Sequence, residues 1–104
     1  MNDESFKNFV VDQLRQIPNL QCRRMFGGYG LYADAGFFGI IYHGKLYFKT
    51  DNDTVKDYQD EGMKPFRPSK QQTLKQYYEV PALRLEDPKA LTDWATKALN
   101  VKLK

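Results

Sequence analysis

A two-layer α+β domain, with an antiparallel sheet packed against N- and C-terminal helices, is the fold that this sequence predicts. Three observations carry the prediction. Apolar residues recur at helical spacing near both ends of the chain, over residues 6–17 and 91–99. Between them lie short runs rich in aromatic and β-branched residues, separated by glycine-containing breaks. A length of 104 residues, 41% hydrophobic and 28% charged, fits one globular domain over residues 1–104, with no room for a second core.

In chain order, Phe6, Phe9, Val10, Leu14 and Ile17 share one face of a first helix. Asp3 or Ser5 is expected to cap it, and Pro18 stops it, because proline lacks a donor and restricts the residue before it. A short strand is expected over 22–25, ended by Gly27-Gly28. Strands over 29–33, 37–42 and 45–50 then form a three-stranded meander. His43-Gly44 reads as a two-residue turn, which sets Ile41 opposite Leu46 and Gly39 opposite Phe48. Read as a three-residue turn, Asp34-Ala35-Gly36 sets Ala33 opposite Phe37 and Leu31 opposite Gly39.

This register sorts the side chains. Tyr29, Leu31, Ala33, Phe37, Gly39, Ile41, Leu46 and Phe48 share the face expected under the helices. Gly30, Tyr32, Phe38, Ile40, Tyr42, Lys45, Tyr47 and Lys49 share the other. A slip of one residue exchanges the two sets, so the assignment rests on the turn lengths. A short helix is expected over 53–60, capped by Asp51 or Asn52 and stopped at Gly62. Its only apolar residues, Val55 and Tyr58, put it on the surface. Pro65 and Pro68 mark 63–68 as a loop, and 73–80 reads as a further strand. Asp87-Pro88 is a cap followed by proline in the first helical position, which opens the last helix.

Several classes are excluded or disfavoured. One cysteine cannot form an internal disulfide, so an intracellular, cytoplasmic chain is expected. The acidic start and the lack of a long apolar run argue against a signal peptide and a membrane span. Cys22 and His43 cannot supply a zinc site, which needs four such ligands, and Asp51-Asn52-Asp53 lacks the rest of a calcium loop. No metal and no cofactor are expected. Cys22 beside Arg23 and Arg24 is the weak case for a nucleophile, set against its more usual role as a small core residue. Phe26-Gly27-Gly28-Tyr29-Gly30 lacks the Lys-Ser/Thr of a phosphate loop, and its glycines are read as room for a sharp strand entry and for aromatic packing. Asp60-Glu61 and Glu86-Asp87 lie at helix ends, where capping and solvation explain them. No catalytic set emerges, and the chain is read as a non-enzyme.

The candidate that remains is a surface. Tyr32, Phe38, Tyr42 and Tyr47, with Lys45 and Lys49, share the second sheet face, and Arg23 and Arg24 add positive charge. Aromatics flanked by cations are how sheets stack single-stranded bases and hold phosphates. The net charge of +3 supports nucleic-acid binding only weakly. The competing reading covers this face with another element, or with a second subunit as a homodimer.

The segments Arg23-Arg24-Met25-Phe26-Gly27-Gly28-Tyr29-Gly30-Leu31-Tyr32, Phe37-Phe38-Gly39-Ile40-Ile41, Leu46-Tyr47-Phe48-Lys49-Thr50, Pro65-Phe66 and Tyr77-Tyr78-Glu79-Val80-Pro81, in this order, resemble the N-terminal domain of the TfoX/Sxy family of bacterial competence regulators. The resemblance spans about residues 4–100. It implies a two-layer α+β fold similar to that of secretion chaperones. It also implies a regulatory role without enzymatic activity or cofactor, with the transcription machinery or an activator as protein partner. Full-length members carry a second, helical domain resembling a helix-hairpin-helix. The end of this chain at Lys104, just after the last helix, leads to the expectation of an N-terminal module alone.

Overall fold

The computed structural model describes residues 3–25 and 27–101, with Asp3 placed by its backbone only. The element order is α1 (Asp3–Gln13), β1 (Gln21–Met25), β2 (Gly28–Ala33), β3 (Gly36–Tyr42), β4 (Lys45–Lys49), α2 (Val55–Gln59), β5 (Pro65–Ser69), β6 (Gln72–Glu79), α3 (Ala82–Leu85) and α4 (Pro88–Leu99). The strands form one six-stranded sheet in the order β1-β2-β3-β4-β6-β5, antiparallel at every pairing. This is the α+β class that the sequence predicts.

The helices lie on one side of the sheet. α4 packs on β3 and β4, and α1 on β3 and α4. The first core holds Val10, Leu91, Ala95 and Ala98 from the helices and Leu14 from the turn after α1 against Leu31, Phe38, Ile41, Leu46 and Phe48 from the sheet. α1 ends at Gln13, earlier than expected. Tight turns then carry Leu14 and Ile17 into the core, with Ile17 N–H donating to the Leu14 carbonyl at 2.9 Å. The cap expected of Asp3 lies outside the described residues, and Ser5 sits inside the helix rather than before it. At the other end Asp87 accepts from the N–H groups of Lys89 and Ala90, as expected for the cap of α4.

The β3–β4 hairpin has the expected register, Ile41↔Leu46 and Gly39↔Phe48, with His43 (φ +50°) and Gly44 (φ +74°) both left-handed in its turn. The β2–β3 connection differs. Ala33 pairs with Gly36 and Tyr32 with Phe37, so the loop has two residues, while Leu31 still pairs with Gly39. The difference is absorbed by a bulge that leaves Phe38 as the extra residue on β3. Phe38 and Phe37 therefore exchange faces relative to expectation. Phe38 is fully buried in the helix-covered core, its ring 5.8 Å from that of Phe48, and Phe37 stands on the opposite face.

Two further elements depart from the sequence reading. Residues 65–69 are a strand rather than a loop. Proline cannot donate to a ladder, but β5 is an edge strand and tolerates it. α2 is shorter than expected but keeps its punctuation: Asp51 accepts from Asp53 N–H and Thr54 N–H, and Gly62 is left-handed at φ +75°. Tyr58 is buried rather than at the surface, its ring 4.6 Å from that of Trp94. The Arg84 guanidinium lies 5.2 Å from the Trp94 ring centre and pairs with Glu61 at 3.0 Å, which ties α2, α3 and α4 together.

Candidate interaction surface

The second sheet face is aromatic, as the alternation of the strands requires, but it is closed. In a flat sheet β3 and β5 would stand about 14 Å apart, three strand spacings. The rings of Tyr42 on β3 and Phe66 on β5 are 5.3 Å apart. The Phe66 ring is also 4.6 Å from Tyr47, and Phe37 is 5.6 Å from Tyr77. The sheet is therefore coiled, with this face on its concave side. The register shifts of the β5–β6 pair, where Pro65 faces Tyr78 but Phe66 faces Leu74, supply the bend. Ile40, Tyr47 and Phe66 form a second small core, packed by Met25, Phe37, Tyr42, Leu74 and Tyr77.

Gly30 leaves space on this face for the side chains around it. A Cβ there would stand 2.7 Å from the Met25 sulfur and 2.9 Å from the Phe37 ring. The glycines thus give aromatics room to pack, as the sequence suggests, although Phe26 itself lies outside the described residues.

The proposed surface residues divide accordingly. Tyr32, Tyr42 and Tyr47 share the concave face, but Tyr47 is buried and Phe38 belongs to the opposite core. Tyr47 and Tyr77 have phenols shifted above their ordinary pKa by burial, with Glu79 and Tyr42 adding to the first and Tyr32 to the second. Lys45 pairs with Glu79 at 3.7 Å, and Lys49 is half-buried across from Tyr77. Arg23 and Arg24 lie on opposite sides of β1. Arg23 sits 5.3 Å from the Tyr32 ring centre, and Arg24 sits 5.7 Å from that of Tyr29 on the helix side, where Lys7 is 5.6 Å away from the same ring. A single face presenting all eight residues does not form.

The residues that close the concave face, Phe37, Phe66, Leu74 and Tyr77, were not expected there. The signal for Phe66 was present in the sequence, as a phenylalanine set between two prolines next to a strand. Away from the sheet, α1 and α3 border a groove of about 440 Å³ lined by Phe6, Phe9, Gln13, Ala82, Leu85 and Glu86. Beside it, Leu83 is 76% exposed, the large apolar side chain left in solvent among the described residues.

Burial raises the Cys22 thiol above its ordinary pKa, and Lys7 offsets this only in part. Cys22 pairs with Leu31, which pairs with Gly39. His43 lies four residues beyond Gly39, roughly 13 Å further along the strands, so it is no base for this thiol. Among the described residues no group of three or more His, Cys, Asp or Glu side chains converges, and no helix is long and apolar enough to cross a membrane.

The chain is 26% identical over 100 residues to the DNA transformation protein TfoX1 of Aliivibrio fischeri (strain ATCC 700601 / ES114). The match covers 94% of this chain and 46% of that protein, so the chain spans about half the length of the curated relative. A family model described as the TfoX N-terminal domain matches residues 12–101, from the end of α1 through α4. With most of its length covered by that model, the chain belongs to the TfoX N-terminal domain family.

Proposed function

We propose that this domain is a non-enzymatic regulatory or adaptor module that works by contacting another protein. The observation that carries this reading is the closure of the concave face. Ile40, Tyr47 and Phe66 are buried against one another, so the Tyr47 and Phe66 rings cannot serve as a platform on which bases stack. What the fold leaves outward is an apolar groove with Leu83 beside it and an exposed basic strand, features suited to a protein surface.

The relative's name refers to DNA transformation, and control of that process in the cytoplasm is the setting proposed here, with the transcription machinery or an activator as partner. The test is capture of partners on the purified domain from nuclease-treated native extract, with Leu83→Asp as a comparison. Repeated recovery of no protein overturns the reading.

A second reading, direct nucleic-acid binding, is favoured by Lys7, Arg23 and Arg24, which pair with no carboxylate among the described residues. Fluorescence titration with single strands and duplexes at low salt tests it. Binding that falls steeply with added salt supports it, and no binding removes it.

A further inference from the structure

We propose that the outer edge of β1 receives an extended, acidic segment of a partner protein, which adds to the six-stranded sheet as one more strand. The proposal rests on the protein-binding reading above and names the surface and the partner's chemistry.

The sheet ends at β1 and β5, and an end strand directs alternate N–H and C=O groups outward. The two ends are not equivalent. β5 carries Pro65 and Pro68, which have no N–H, and its ladder to β6 is broken by register shifts. β1 has no proline and pairs with β2 residue for residue from Gln21↔Tyr32 to Met25↔Gly28. Its Gln21, Arg23 and Arg24 are exposed. β1 is the edge that retains regular geometry and all its donors.

Charge is what guards this edge. The Arg23 guanidinium is held over Tyr32 and donates to the Gln21 side-chain oxygen at 2.8 Å. Arg24 is held over Tyr29, with Lys7 at the same ring. Neither β1 arginine has a carboxylate partner among the described residues, so the two charges at this edge are left for an incoming acidic group. An incoming strand with acidic residues at successive positions meets Arg24 on the helix side and Arg23 on the concave side. A second copy is the poorer occupant. Antiparallel self-pairing centred on β1 sets Arg23 against Arg23, which places like charges opposite each other. A nucleic acid would use the cations and leave the backbone edge unpaired.

The test is an NMR titration of the isotope-labelled domain with a synthetic eight-residue peptide that pairs acidic residues with valine and threonine. The comparison probes are its lysine counterpart, an acidic peptide N-methylated at alternate residues, and a single-stranded oligonucleotide. The expected result is protection of alternate β1 amides by the acidic peptide. Arg23→Glu and Arg24→Glu should each weaken binding roughly threefold, and raised salt should weaken it further. The N-methylated peptide should lose the protection. The proposal is overturned if β1 amides do not respond, if the N-methylated or lysine peptide binds equally well, or if only the oligonucleotide binds. In the capture assay, a partner retained by the doubly charge-reversed variant overturns this inference while leaving protein binding intact. Failure of the unmodified domain to capture any protein overturns the reading beneath it.

Discussion

On its helix side the sheet is covered by α1, the turn after it and α4, whose Val10, Leu14, Leu91, Ala95 and Ala98 lie over Leu31, Phe38, Leu46 and Phe48. On its concave side it is covered by itself, as coiling brings Phe66 and Tyr77 from β5 and β6 onto Tyr47, Tyr42 and Phe37. The first closure needs a separate layer and a periodic apolar stripe. The second needs only that the backbone depart from regular pairing at a few positions. One face is secured by burial between layers and the other by curvature, so damage to the two should be felt differently.

The largest effect is expected from Phe38→Ala, which empties a fully buried site on the helix side. It should cost about 3–5 kcal/mol in denaturant unfolding, whereas Phe37→Ala, at a half-buried neighbour, should cost less than half of that. Equal costs would refute the bulge that separates the two rings.

Phe66→Ala is expected to cost about 3 kcal/mol and to act locally. Amide exchange should show the β5–β6 hairpin opening while α1 and α4 stay protected. Uniform loss of protection would show that the two faces yield as one unit.

Alkaline titration separates the faces by chemistry. Burial raises the pKa of Tyr58 on the helix side, and of Tyr47 and Tyr77 on the concave side. Each group is protonated more firmly in the folded state than in the unfolded one. Its contribution is complete below the unfolded value near 10 and is lost as pH rises toward the folded value, at up to about 1.4 kcal/mol per pH unit for each group. Ultraviolet titration should show Tyr58 ionising last, and Tyr58→Phe should flatten the slope of stability against pH. An early, reversible Tyr58 titration in the folded domain would contradict its burial.

A smaller effect is expected at the cap of α4, where Asp87→Ala should cost about 1 kcal/mol by releasing the N–H groups of Lys89 and Ala90. Asp51→Asn should have the least effect and should show mainly as a change in pH dependence. Hydrogen bonds from the backbone, Thr54 first, hold the Asp51 carboxyl below its ordinary pKa. The stability it adds is present above the unfolded value near 4 and disappears as pH falls through the folded one. Acid unfolding curves of the two proteins should therefore converge at low pH.

Much of this could be read from the residues, and the exceptions have physical reasons. The His43-Gly44 turn fixed the β3–β4 register because only one tight geometry suits that pair. The Asp34-Ala35-Gly36 segment admits either a two- or a three-residue loop, and a bulge restores the pairing beyond Tyr32 in a way that local sequence does not mark. The bulge therefore puts Phe38 on the helix side, against the expectation, while Tyr32, Tyr42 and Tyr47 keep the face that alternation predicts. The prolines of 65–68 argue against a central strand and say nothing against an edge, so β5 was missed. With it went the closure of the aromatic face, because a meander read as flat leaves exposed what a coiled sheet encloses. Arg23 and Arg24 are neighbours in one strand, so alternation alone sends them to the two sides of β1, while the open edge beside them follows only from the place of β1 at the end of the sheet.

The junction of α2, α3 and α4 gives the molecule a built-in optical gauge. Trp94 is the sole tryptophan, and it stands edge-on to Tyr58 with the Arg84 guanidinium at its face. Its emission colour and lifetime report whether these three helices remain docked, so loosening at this corner can be followed in real time without attaching a dye.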